Sequence, residues 1–427
     1  MTLYAYIYRE CPVKIWGLTS CQRIERVLKA DGKSKMVNDL SALCDDDSVL
    51  ILRADHLFDD RLVNYLAETP NIVLQVNGEP KEIAVAAHVP ASIAHQALDV
   101  IEETAMAESL PGVKIQTLET LSISFQERIR KFEPPFVLSI SAEKSRDLER
   151  RLFDWSYKGV TDLVTKWAWP IPARWVVGQC VRFGIRPNHV TLTGLLLVIL
   201  AGVLFAYGHY GWGLLAGWLM TFLDTVDGKL ARVTVTSSRF GHYFDHIIDI
   251  IHPPIWYILW GLGLKISHPE GLGFSLSAVL WFIVIGYVVG RFTEVVFQRC
   301  LGRFGIFCWR PMDSYFRLIT ARRNPNMILL TLCFFVGRPD LGLLAVAFWT
   351  VWTSLFLLLR LVWAGYVRII QGPLRSWFMD VNPSLHDKSL AIRLFTHYTK
   401  TFSDTRHTTC MASFLKKYYA LYMNLFT

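Results

Sequence analysis

The 427-residue chain is 52% hydrophobic and only 19% charged, with a mean hydropathy of +0.31, a balance too apolar for an ordinary soluble enzyme of this length and one that points to a polytopic membrane protein. Its formal charge of +8 does not argue for a nucleic-acid partner, because most Lys and Arg of the second half fall between apolar runs, as they do in cytoplasmic loops. Eight cysteines without a CxxC pair indicate neither a disulfide framework nor a zinc site.

The N-terminal "MTLYAYIYRECPVK" lacks the basic and apolar regions of a signal peptide, so the first domain is expected in the cytosol. Residues 1 to about 150 alternate short β-rich runs with polar helical stretches: "LYAYIY", "SCQRIERVLKADG", "SVLILRAD", "DDRLVNYLAET" and "NIVLQVN". That order predicts a soluble α/β domain with a largely parallel sheet. Between Ser145 and Arg186 charge mixes with Trp and Phe, which predicts amphipathic helices at the membrane interface. Six apolar segments follow, centred on "VTLTGLLLVILAGVLFAY", "GWGLLAGWLMTFLD", "IIDIIHPPIWYILWGLGL", "FSLSAVLWFIVIGYVVG", "NMILLTLCFFVG" and "LGLLAVAFWTVWTSLFLLLRLVWAG". Each reaches across a bilayer once helix ends and tilt are included, although the second and fifth are short on apolar count.

The expected architecture is therefore an α-helical integral membrane protein with six transmembrane helices, preceded by a soluble α/β domain. Its divisions are a cytosolic domain (1–145), juxtamembrane helices (146–186), the membrane domain (187–370) and a cytosolic tail (371–427). Loop charge sets the orientation. The first connection, "GHYG", carries no Lys or Arg, whereas the stretch from Arg291 to Arg323 holds seven arginines, so both termini are expected to face the cytoplasm.

Within this apolar half, residues 223–249, "LDTVDGKLARVTVTSSRFGHYFDHIID", carry four aspartates. Asp224 and Asp227 are three apart and Asp245 and Asp249 four apart, so each pair shares a face if both stretches are helical. An acid near the hydrocarbon costs about 2.5 to 3.5 kcal/mol, and four like charges repel one another. A bound cation resolves both problems. Oxygen ligands favour hard ions such as Mg²⁺ or Mn²⁺, and several carboxylates suit two ions around a shared phosphate. Gly228 and Gly241 leave room for a bulky ligand near the backbone, and Arg232 supplies a cation for a phosphate.

The set Asp224, Asp227, Gly228, Ala231, Arg232, Gly241, Asp245 and Asp249 matches DxxDGxxARx8GxxxDxxxD, and in this it resembles the CDP-alcohol phosphotransferases. "GIRPNHVTLTGLLL", with Pro187, Asn188 and Thr191, is similar to that family's entry to the first transmembrane helix. The resemblance covers roughly residues 155 to 370. It implies a six-helix membrane enzyme, usually a homodimer, that transfers a substituted phosphate from a CDP-linked donor to an alcohol and releases CMP. It implies metal binding by Asp224, Asp227, Asp245 and Asp249, with Asp249 also the general base. Asn188, Thr191, Asp224, Gly228, Ala231, Arg232 and Gly241 would hold the CDP moiety, and Mg²⁺ or Mn²⁺, as two ions, would be the cofactor. The active site would face the cytoplasm, with a lipid or a polyol phosphate as acceptor and membrane lipids around it.

Acceptor or headgroup candidates are His252, one turn beyond Asp249, and Arg310, Arg317, Arg322 and Arg323 of "CWRPMDSYFRLITARRNPN". The arginines serve equally as a positive-inside loop, and His252 as a hydrogen-bonded core histidine. Arg291 and Glu294 are expected to pair at the end of the fourth helix.

In the first domain, "KIWGLTSCQRIERVLKADG" and "VLILRADHLFDD" resemble pieces of a sugar-phosphate nucleotidyltransferase, with Asp55 in the place of a metal-binding strand-end aspartate. The first strand runs into "RECPVKIWGL" instead of a glycine-rich phosphate loop, so this domain is expected to be catalytically degenerate. A nucleotidyltransferase-like domain ahead of a CDP-alcohol phosphotransferase is similar to the fused enzymes of di-myo-inositol-phosphate-phosphate synthesis. The alternatives are a phosphatidyltransferase using CDP-diacylglycerol and a soluble polar alcohol and, from other classes, a cation or proton transporter or a scaffold with a vestigial motif.

Overall fold

The computed structural model describes residues 2–32, 34–44, 46–78, 82–121, 135–157, 159–236, 239–267, 273–380 and 394–395, without the side chains of 31, 239–246 and 380. The tail assigned from the sequence to 371–427 thus lies mostly outside the described residues.

The first domain is built on a six-stranded sheet in the order β2-β1-β3-β6-β5-β7, from Ser34–Met36, Leu3–Tyr8, Ser48–Arg53, Ile83–Pro90, Ile72–Val76 and Lys114–Thr117. Strand β3 ("SVLILR") is buried at every residue, as expected of a central strand covered on both faces. Its alternation sorts the core. Leu50 and Leu52 pack with Ile24, Leu28 and Leu62 on one face, while Val49 and Ile51 pack with Ala97 and Ile101 on the other. Helix α1 (Ser20–Asp31) starts with a capping box between Thr19 and Gln22 and stops at Gly32, whose positive φ favours glycine. Helices α2 (Asp60–Glu68) and α3 (Ala94–Ile101) complete the two layers. The largely parallel sheet expected from the sequence is mixed: β6 runs antiparallel to both β3 and β5. The loop "NGEPKE" between β5 and β6 is short enough for an antiparallel return, whereas a parallel pair would need a crossover. A two-stranded ribbon of β4 (His56–Phe58) and β8 (Val137–Ser139) lies beside the sheet.

Helices α4 (Ser145–Trp155) and α5 (Pro170–Arg182) lead into the helical region. Helix α5 buries Ala173 and Val177 and leaves Ile171, Trp175 and the adjacent Phe183 exposed, an amphipathic division consistent with an interfacial position. Beyond it come α6 (Pro187–Ala206), α7 (Tyr210–Val233), α8 (Arg239–Ser267), α9 (Leu276–Val296), α10 (Pro311–Ile319), α11 (Arg323–Phe335) and α12 (Pro339–Gln371).

Among the described residues four stretches are long and apolar enough to cross a membrane: Pro187–Ala206, Ile247–Ser267, Leu276–Gly302 and Pro339–Gln371. The sequence expectation of six is met in part. The second segment forms α7, whose last turns carry Asp224, Asp227, Lys229 and Arg232. The fifth forms α11, whose 13 residues reach about 20 Å, short of the roughly 30 Å hydrocarbon core. Rows of exposed apolar side chains, such as Leu196, Ile199 and Val203 on α6 or Phe348, Trp352 and Leu359 on α12, are too extensive for a water-facing surface and mark a membrane protein. Inside, Phe205, Trp256, Trp260, Met327 and Leu343 make one core. Gly263 lets α8 approach the end of α6, since a Cβ there would collide with the Phe205 carbonyl.

Two arginines of the first domain hold the end of α7. The Arg23 and Arg26 Nη1 atoms donate to the carbonyls of Val233 and Thr234, each at 2.8 Å. The last carbonyls of a helix lack intrahelical donors and carry its negative end, so cations satisfy them twice over. Arg23 also makes a two-point contact with Asp60 at 2.9 Å. Apolar packing reinforces the junction, with Trp16, Phe153 and Val177 around Val226, Leu230 and Val233.

Candidate active site

The last turns of α7 and the segment of α8 around Asp249 face a cavity of about 250 Å³. Helix α7 is packed among other helices, so its charged residues are shielded from lipid, which is where charge near a bilayer is tolerated. Asp224, Gly228, Lys229 and Arg232 line the cavity from α7, and Asp249 and Pro253 from α8. The opposite wall comes from Arg291 and Tyr287 of α9, Arg317 of α10, and Arg322, Arg323 and Asn324 where α11 begins. Among the described residues six cations and three carboxylates line it. The third carboxylate is Asp162, from the segment between α4 and α5.

Asp224 and Asp249 converge on one cation. Arg323 Nη1 donates to Asp249 Oδ1 at 2.6 Å and Nη2 to Asp224 Oδ2, although the three residues are far apart in sequence. Asp227 sits behind them. It is buried and accepts a 2.8 Å hydrogen bond from the Thr191 hydroxyl of α6, in a narrow crevice that Asp224 also lines. Asp245 and Gly241 lie on α8 by backbone, but the position of the Asp245 side chain falls outside the described residues. Among the described residues, a Cβ on Gly228 would meet only the Arg232 guanidinium, at 3.7 Å.

Helix α8 runs on through Pro253 and Pro254, which cannot donate to the carbonyls of Asp249 and Ile250. The Tyr287 hydroxyl takes up the Ile250 carbonyl at 2.9 Å. The "HPP" triplet at 252–254 thus creates a polar need next to Asp249.

Lys229 and Arg232 both donate to the Ser156 carbonyl just beyond α4, at 3.0 and 2.9 Å. The Lys229 ammonium stands 3.2 Å from the Tyr157 ring centroid, a cation-π contact. Asp162 accepts from the Thr165 hydroxyl and from Asn324 Nδ2, both at 2.9 Å. Burial works to raise the Asp162 pKa, but the Arg317 charge and these hydrogen bonds outweigh it and hold the carboxyl below its usual range. Among the described residues Arg317 Nη1 is buried with no hydrogen-bond partner. Such a donor lining a cavity has room for an anionic oxygen.

The other sequence candidates divide. Arg317, Arg322 and Arg323 line the cavity, and Arg310 does not: its guanidinium lies over Trp309, while its backbone N–H is capped by Asp313. His252 is buried away from the cavity, its Nδ1 donating to the Ile248 carbonyl at 2.7 Å and its ring against Trp256, the core-histidine reading. Asn188 is exposed at the start of α6, and Ala231 stands on α7 outside the lining. The expected Arg291–Glu294 pair is replaced. Glu294 pairs with Arg322, and Arg291 Nε donates to Tyr287. Asp162, Asn324, Lys229 and Tyr287 were missed, and only Lys229, inside the motif, had a local signal.

The family model described as CDP-alcohol phosphatidyltransferase matches residues 185–303. Among curated relatives, a phosphatidylinositol phosphate synthase of Mycobacteroides abscessus is 32% identical over 90 residues, 19% of this chain and 41% of the relative. An archaetidylinositol phosphate synthase of Pyrococcus horikoshii is 38% identical over 120 residues, 27% of this chain and 55% of the relative. A bifunctional IPC transferase and DIPP synthase of Rubrobacter xylanophilus is 29% identical over 162 residues, 38% of this chain and 34% of the relative. The chain thus spans between a third and just over half the length of these relatives. Asp224, Gly228, Arg232 and Asp249 fall inside the family match, whereas Arg317, Arg322 and Arg323 lie beyond its end.

Proposed function

We propose, from the premise that residues 185–303 are a CDP-alcohol phosphatidyltransferase domain, that this membrane protein transfers a substituted phosphate from a CDP-linked donor to an alcohol acceptor and releases CMP, in lipid or polyol-phosphodiester synthesis. One observation carries the reading. The motif carboxylates Asp224 and Asp249 open onto the same cavity as six cations, an arrangement that receives a phosphate-rich ligand beside acids able to hold metal or take a proton. A transporter would need acids along a path through the bilayer, whereas these gather at the end of α7 that the first domain grips.

The residues fit a hard divalent cation. Their donors are carboxylate oxygens, and Asp224 and Asp249 already converge on a position that holds positive charge. We assign Asp224, Asp227, Asp245 and Asp249 to hold Mg²⁺ or Mn²⁺, as two ions. When bound, the metal would neutralise the pyrophosphate and stabilise departing CMP. Gly228 and Arg232 receive the CDP moiety, Gly228 by leaving the helix surface bare. Asp249 takes the proton of the acceptor hydroxyl as its oxygen attacks the donor's distal phosphorus. The bond from that phosphorus to the CMP oxygen breaks, and the acceptor becomes a phosphodiester. We place the active site on the cytoplasmic side and the chain in a homodimer, in line with the family resemblance. The first domain is read as a structural remnant.

A second reading narrows the first. Arg291, Arg317 and Arg322 lie across the cavity from the motif, where they suit a phosphate on the acceptor. That favours CDP-diacylglycerol or a similar CDP-lipid as donor and a soluble polyol phosphate as acceptor, in keeping with the phosphatidylinositol phosphate and archaetidylinositol phosphate synthases among the relatives. The test is CMP release by the protein in detergent with Mg²⁺ or Mn²⁺, CDP-diacylglycerol and CDP-inositol being supplied in turn with lipid and polyol-phosphate acceptors. Metal-dependent release that Asp249→Ala abolishes is expected, and the productive donor separates the branches. Silence across a broad panel of CDP-alcohols would overturn the assignment.

A further inference from the structure

Arg323 stands where two roles meet. Its guanidinium joins Asp224 of α7 to Asp249 of α8, and none of the three side chains is more than about a third exposed. Among the described residues its Nε is buried without a hydrogen-bond partner, and its ion pairs are those with the two carboxylates. The same side chain lines the cavity beside Arg317 and Arg322. Two half-buried carboxylates this close repel each other, and a countercharge favours their ionised forms. A divalent cation on the Asp224 and Asp249 oxygens would use the lone pairs that the guanidinium uses, and two cations on one such site repel.

We propose that Arg323 is a built-in counter-cation of the carboxylate site, which a divalent cation must displace, so that metal entry frees its guanidinium toward the anion cavity. This rests on reading the carboxylates as a metal site. Coupling of this kind is reciprocal. An anion in the cavity that draws Arg323 away favours the metal, and the metal favours the anion. The cost of displacement lowers the apparent metal affinity, as for any ligand whose competent state is partly populated. The benefit is that α7 and α8 stay joined whether or not metal is present.

The test measures Mn²⁺ binding to the full-length protein in detergent, without nucleotide, from the electron paramagnetic resonance signal of the free ion. Arg323→Gln keeps a polar side chain without the charge, and is expected to bind Mn²⁺ about tenfold more tightly than wild type, within the usual range of coupling. Arg323→Lys retains the charge and is expected to bind like wild type. In chelator the Gln variant should melt at a lower temperature than wild type, and Mn²⁺ should restore it. A second readout needs no substitution. Modification of Arg323 by phenylglyoxal, located by mass spectrometry, should rise when Mn²⁺ is added. Equal or weaker Mn²⁺ binding by the Gln variant, or unchanged labelling of Arg323, overturns the counter-cation role while leaving the metal site intact. Absence of Mn²⁺ binding in wild type and both variants overturns the metal reading and this inference with it.

Discussion

Asp55 in the first domain and the pair Asp224 and Asp249 in the helical region are both acids set among arginines, yet the chemistry open to them differs. Asp55 stands in the turn between β3 and β4, with cationic partners on both oxygens. Arg53 contacts both of its oxygens, at 3.2 and 2.9 Å, His56 Nδ1 lies 2.6 Å from Oδ1, and Arg9 stands 3.9 Å from Oδ2. Burial raises the Asp55 pKa, but the His56 and Arg53 contacts prevail and hold it well below the usual carboxylate range. In the helical region the ratio is reversed, with two carboxylates sharing one guanidinium in front of a cavity. Charge alone therefore does not mark a reactive acid. An acid with its lone pairs taken is part of the fold, whereas one sharing a cation beside open space can exchange partners.

Substitutions can break that comparison. Asp249→Asn should lower CMP release by at least about 100-fold, because it removes the base and a metal ligand together; CMP release with the productive CDP donor reads this directly. Arg23→Ala leaves Asp60 without its buried partner and the Val233 carbonyl without its donor. It should cost about 3 kcal/mol, seen as a lower melting temperature in detergent, with Arg23→Lys partly restoring it. Asp55→Asn should cost about 1 kcal/mol and leave CMP release within about twofold, since it is remote from the cavity. Asp55 is ionised further down the pH scale in the folded chain than in the unfolded one. Its stabilisation is therefore complete above about pH 4 and is lost as pH falls toward its folded pKa, so the melting difference should vanish in acid. A large loss of activity in Asp55→Asn would give the first domain a role beyond support.

The smallest effect sharpens the comparison from the cationic side. Lys166 is buried, with its ammonium donating to the Gly159 carbonyl at 3.2 Å near the Phe395 ring, and burial pushes its pKa down to about 8. The unfolded chain then holds the proton to higher pH than the folded one, so native stability rises as pH climbs from about 8 to about 10.5. Lys166→Met should raise the melting temperature by about a degree at pH 7, corresponding to about 1 kcal/mol for a chain of this length. That gain should shrink above pH 8.

Much of the site was legible because it is local. The spacing of Asp224, Asp227, Gly228 and Arg232 follows one helix face, and α7 presents three of them to a single cavity. What escaped depends on long-range contacts. Arg323 reaches Asp249 across 74 positions and Asp224 across 99, and Asn324 reaches Asp162 across 162. Where local spacing was used to guess partners it misled, since Glu294 has Arg322 beside it as well as Arg291 three residues earlier. The count of spans shows the same limit. Apolar composition marked six segments, but whether α7 and α11 meet lipid or protein depends on the helices around them.

By itself the amino-acid order determined the α/β domain, the apolar helices behind it, and the acidic motif with its glycine and arginine. Each follows from periodicity, composition or spacing within a few turns of chain. Tertiary structure decided the direction of β6, the grip of Arg23 and Arg26 on α7, and the sharing of Arg323 by two carboxylates. Those features depend on which surfaces meet, and a buried charge takes whichever partner packing brings within hydrogen-bond reach, however distant in sequence.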